Sequence, residues 1–156
     1  MKIISENTYD LIKDKVSKGS DSYIKWLEKK CLPDNLVDFL VNCSFTSITE
    51  IGVVRFQTPE TIISEHDKNW PNIIKQGYFL FGSAINGDQW AIGYHDNNMP
   101  VFILSHDEID YDGEKNKKEI IKVAKTLDEF IPSAFIYDKL PWDYWEAKKR
   151  INKILF

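Results

Sequence analysis

The pair Asn86-Gly87 constrains this chain more than any other feature. Asn-Gly favours the positive-φ conformations of a tight hairpin turn, and here it separates two apolar runs. Before it stands Tyr78-Phe79-Leu80-Phe81, a continuous apolar run of the kind that forms a buried strand. After it, Trp90, Ile92 and Tyr94 alternate with Ala91 and Gly93. Asp96-Asn97-Asn98 makes a second turn, and Val101-Phe102-Ile103-Leu104 a third strand. The pattern predicts a three-stranded meander over residues 78–104.

Helical spacing flanks it. Tyr9, Ile12 and Val16 keep one face, with Gly19 as a stop. Ser20 or Asp21 caps a second helix whose face holds Tyr23, Ile24, Leu27 and Cys31. Pro33 opens a third, with Leu36, Phe39, Leu40 and Cys43 in one stripe. Residues 51–56 read as one short strand, and 59–67 as one or two helical turns. Thr126-Leu127-Asp128-Glu129 has the form of a capping box. Leu127, Phe130, Ile131, Ala134 and Phe135 follow on one face, interrupted by Pro132. Leu140-Pro141-Trp142 starts a final helix, wet on the side of Trp142, Trp145, Lys149 and Lys153. The expected class is α+β: a mixed, largely antiparallel sheet with a central meander and helices packed on one side.

The chain's 156 residues suit a single domain, and 43% hydrophobic against 28% charged residues excludes a disordered chain. Lys and Arg number 20 and Asp and Glu 24, so the net charge is −4, which argues against general nucleic-acid binding. The charge is segregated. Residues 1–32 sum to +2, residues 33–113 to −9 and residues 114–156 to +3. Met1-Lys2-Ile3-Ile4 leads straight into Ser5, Glu6 and Asn7, so no export signal is expected there, nor is a membrane helix. Cys31 and Cys43 are then expected as reduced, buried thiols of a cytoplasmic protein.

Catalytic and metal chemistry find little support. His66, His95 and His106 are the chain's histidines and read as exposed turn residues. His95-Asp96 and His106-Asp107 are adjacent pairs, which a strand would point to opposite faces. Gly-x-Ser-x-Gly and phosphate-cradling glycine loops are missing. Glu108 to Glu119 has the acid and glycine spacing of a calcium loop. However, Glu replaces Asp at its first position, Lys115 takes an apolar position, and no helix is expected before it. No metal, cofactor or catalytic residue is therefore expected.

Several short motifs recur in one order. They are Leu32-Pro33 before an amphipathic helix, Phe81-Gly82, Asn86-Gly87-Asp88, Trp90-Ala91-Ile92, and Met99-Pro100-Val101-Phe102. An acidic turn from Asp107 follows, and then Val123-Ala124-Lys125-Thr126-Leu127-Asp128-Glu129-Phe130-Ile131. Over about residues 32–137 this resembles the SUKH superfamily, the Smi/Knr-type domains. Asn42-Cys43-Ser44-Phe45 stands where the family carries aromatic-Asn-Gly-Gly. The resemblance implies an α+β fold and a protein-binding role without catalysis. Bacterial members look like immunity proteins that neutralise a cognate toxin, often a nuclease; fungal members look like regulatory scaffolds. For a basic toxin domain, the expected contacts are the acids Asp88, Asp96, Asp107, Glu108, Asp110 and Asp112. Trp90 or Tyr94 would be the aromatic anchor. The oligomeric state is left open by the sequence.

Overall fold

Local capping signals in the sequence set most helix starts. In a computed structural model describing residues 2–106 and 120–155, Ser5 Oγ accepts from the Thr8 amide and starts α1 (Glu6–Ile12). Ser20 does the same for α2 (Asp21–Glu28), and Pro33 precedes α3 (Asp34–Asn42). These are the orphan amides that a helix start must satisfy. Val16 is not helical. It sits in β1 (Val16–Ser17), which pairs antiparallel with β2 (Ser44–Phe45). Helical spacing there loses to a pairing partner 29 positions away, Phe45.

The main sheet has six strands. They are β3 (Thr49–Ile51), β4 (Val54–Phe56), β5 (Tyr78–Ser83), β6 (Gln89–Gly93), β7 (Val101–Leu104) and β8 (Ile120–Ala124). They lie in chain order, each pair antiparallel, so the fold is α+β and the predicted meander forms its centre. The sheet is antiparallel throughout the described residues, not mixed. Residues 51–56 are two strands rather than one. Gly52, at φ 59°, turns the chain between them. β8 lies between the calcium-like loop and the Thr126 capping box, where the sequence pattern predicts no element. Its Ile120, Ile121 and Val123 are the β-branched residues that suit a strand.

Strand alternation gives the sheet two different faces. Phe79, Phe81, Trp90, Ile92 and Ile103 face the helices, where they meet Leu27, Leu36, Phe130 and Ile131 in the main core. Helix α5 (Leu127–Ala134) brings Phe130 onto this face, with its ring 5.3 Å from Trp90 and 5.6 Å from Phe81. Thr126 Oγ1 caps α5 at the Glu129 amide, and Glu129 Oε2 accepts from the Lys125 amide. Pro132 lies inside α5, and the helix continues through Ala134. Leu80, Ala91 and Leu104 point the other way. They are covered by Trp70 and Ile73, from the turns after α4 (Pro59–Ser64) and a π-helical segment at Glu65–Asn69. Helices thus cover one face and a non-helical segment the other.

His66 joins the two layers. Its Nδ1–H donates to the Ile62 carbonyl at 2.7 Å, and its Nε2 accepts the Leu80 amide at 3.0 Å. A carbonyl only accepts and an amide only donates, so the ring is the neutral Nδ1–H tautomer. It is buried, not exposed in a turn, between Trp26 and Phe79. Burial lowers its pKa from 6.5 to about 4; the Lys30 charge adds to this, while the Ile62 bond and Asp67 oppose it.

Two expectations follow. His66 takes a proton more readily unfolded than folded, so stability is fully present above pH 6.5 and falls as pH drops towards about 4. The loss over that window is about 3 kcal/mol. Urea midpoints at a series of pH values measure it, and His66→Gln flattens the slope. Separately, a Cβ on Gly52 would run into the Ala134 carbonyl oxygen, at a positive φ. Gly52→Ala is expected to cost more than about 1 kcal/mol in the same assay.

Candidate functional site

Among the described residues one carboxylate is buried, at the end of the sheet where β5 turns into β6. Asp88 is 1% exposed. Its Oδ1 accepts the His106 amide at 2.9 Å and the His106 ring at 2.6 Å. Its Oδ2 accepts the Tyr144 amide at 2.8 Å, at the start of α6 (Tyr144–Leu155). Burial raises the Asp88 pKa. The bonds from Tyr144, His106 and Asn86 outweigh that and hold the carboxyl below its ordinary 3.8. One side chain therefore fixes the hairpin turn, the end of β7 and the first turn of α6.

This corrects the predicted contact face. Asp88 is an internal bracket rather than an exposed rim charge. Trp90 is completely buried, because its strand position faces the core, and its indole N–H has no partner among the described residues. Tyr94 is half-buried, and its hydroxyl donates to the Ile74 carbonyl. Asp96 is exposed, but in the β6–β7 loop at the other end of β6 from Asp88. Asp107, Glu108, Asp110 and Asp112 lie outside the described residues, as does the calcium-like loop after Glu108.

The remaining chemical candidates sit apart. His106 is paired with Asp88, 18 residues away. Antiparallel topology made that pair, and no local motif announces it. A buried Asp behind a His is half of an acid–base arrangement, but catalysis also needs a substrate cleft. Cys31 is exposed rather than buried, and Cys43 is half-buried. Burial, with Asp38 nearby, pushes the Cys43 thiol up to about 11, far from a reactive thiolate. Among the described residues, no group of three His, Cys, Asp or Glu side chains could hold a metal ion. No helix among them is long and apolar enough to cross a membrane.

The feature that sequence reasoning missed is an apolar end. The loop from α5 to α6 exposes Phe135, Ile136, Tyr137 and Trp142, and Tyr137 is 97% exposed. With Gly52, Val53 and Leu140 these residues line a groove of about 480 Å³. Neither Asp88 nor His106 lines it. Ile85, 78% exposed, belongs to the hairpin turn, whose Asn86 side chain donates to Asp143 Oδ2 at 3.5 Å. Hairpin tips and loop thus meet at one end of the sheet. The signal in the sequence was the run Phe135-Ile136-Tyr137, which reads as the continuation of a helix face.

This loop is held from behind. Arg150 donates to the carbonyls of Asp138, Lys139 and Leu140 at 3.2, 2.7 and 3.3 Å. The same guanidinium grips Glu146 through two bonds at 2.5 and 2.7 Å, and Asp138 Oδ1 at 3.3 Å. A planar fork with five N–H donors suits this bridging role; a lysine would not replace it.

No protein-family model matches this chain, and no curated protein matches it. Geometry alone assigns Asp88 to structure and the apolar end to the surface. Asp88→Asn is therefore expected to lower the free energy of unfolding by about 2–3 kcal/mol, since an amide cannot accept from all three donors. Asp96→Asn is expected to change it by less than about 0.5 kcal/mol. Urea titrations read by tryptophan fluorescence compare them. Equal midpoints for the two variants would contradict the bracket.

Proposed function

We propose that this chain is a non-catalytic protein-binding module of the immunity kind, which docks on a basic toxin domain and neutralises it. The observation that carries this reading is the apolar end. Large exposed apolar patches rimmed by polar groups mark interaction sites on soluble proteins. Tyr137 and Trp142 belong to the residue types that dominate binding energy at protein interfaces. They stand on a loop already pinned by Arg150, so little ordering entropy opposes docking. The resemblance to SUKH domains supports the same class of role, and the net charge of −4 would speed encounter with a basic partner.

The test is to search the reading frames neighbouring this chain's gene for a basic toxin domain and to co-express that domain with this chain. Wild-type protein is expected to protect the cells and to bind the purified domain. Tyr137→Ser with Trp142→Ser is expected to weaken binding by at least about 100-fold, given about 2 kcal/mol for each anchor. Full protection by this double variant, folded by circular dichroism, would overturn the assignment of the face.

A further inference from the structure

We propose that a second copy of this chain occupies the apolar end when no other partner does. The free protein is then a two-fold dimer, and a partner binds by displacing the copy. This rests on the reading of that end as a docking face and adds its resting occupant.

Area is the first argument. The exposed parts of Ile85, Phe135, Ile136, Tyr137 and Trp142 amount to roughly 650 Å², taking about 200 Å² for each large side chain. The largest apolar patch of an ordinary monomer is about 300–600 Å². A stable interface takes about 800 Å² from each partner, which Val53 and the groove walls would help to complete.

Charge is the second. A two-fold contact repeats the same patch on both sides, so charges near the axis meet their own kind. A self-docking face must therefore be close to neutral. Here Arg150 lies between Glu146 and Asp138. With Lys139 and Asp143, these charges of the loop and of α6 sum to −1, on a chain that carries −4 overall.

Pairing through the edges of the main sheet is blunted. Among the described residues those edges are β3 and β8. β3 is three residues long and carries the exposed Glu50, held by Arg55 at 2.8 Å. β8 carries the exposed Lys122 and has a register irregularity against β7. Short strands, charges and bulges are what keep edges from pairing. The apolar end has no such device. Its loop is also preformed, so two copies lose little freedom on contact.

The experiment is sedimentation equilibrium of the full chain from about 1 to 100 μM, a range that brackets a micromolar dimer. The apparent mass is expected to rise from 18.2 kDa towards twice that value. Tyr137→Asp, at a side chain with almost no contacts to lose, is expected to weaken the dimer at least about 30-fold while the melting temperature holds. Ile48→Ser, exposed on the segment leading into β3, is expected to leave the dimer intact. A wild-type chain that stays monomeric throughout, or a dimer that survives Tyr137→Asp, would overturn the proposal. The toxin assay separates it from the reading beneath it. A monomer whose protection is lost in the Tyr137 and Trp142 double variant sinks the dimer alone. A dimer broken by Tyr137→Asp, with that variant still fully protective, supports the dimer and sinks the partner face.

Discussion

A carboxylate with almost no access to water ties this fold together. Asp88 collects two backbone amides and an imidazole from two other parts of the chain. An unpaired charge at that depth would be prohibitive, so its three donors have to be in place together. That requirement couples the hairpin, the end of β7 and the first turn of α6. It also places the loop before α6, because Tyr144 follows directly on Trp142 and Asp143. The position of the apolar end is thus a consequence of a buried polar bracket. The chain carries hydrophobic exposure and charge burial within a few residues of each other.

The other face of the sheet depends on a different polar contact. β4 pairs with β5 only at Ser83 and Gly82. Beyond that point the Leu80 amide finds its acceptor in His66. A neutral imidazole there completes the hydrogen bonding of a strand whose neighbour has ended. The same π-helical segment then delivers Trp70 and Ile73 onto Leu80, Ala91 and Leu104. Burial keeps that ring neutral, and so makes the stability of the sheet sensitive to moderate acid.

Rigidity and exposure rarely coincide in a loop, and here Arg150 makes them do so. Loops gain order when their carbonyls have fixed donors, and one guanidinium supplies three such contacts between residues 138 and 140. The aromatic residues beside them are presented to solvent without the freedom that would oppose docking. This arrangement presents shape and apolar area on a fixed backbone.

The meander was legible in the sequence because its signals are local: an Asn-Gly pair, alternation in Trp90 to Tyr94, and an apolar run in Tyr78 to Phe81. Helix caps at Ser5, Ser20 and Thr126 are local too, each reaching three residues along the chain. Where a residue's partner lies far away, the pattern was silent or misleading. Val16 keeps helical spacing yet joins Phe45, and β8 carries no strand signal that the local pattern singles out. Asp88 looks like a turn acid and is a buried bracket, because its hydrogen-bond donors come from residues 106 and 144. Phe135 looks like part of a helix's core face and is surface, because α5 ends at Ala134. Sequence alone therefore determined the elements whose stabilising contacts lie within a few residues. Tertiary structure decided which polar groups are buried and which aromatics are left exposed, since both depend on what distant segments bring to the same place.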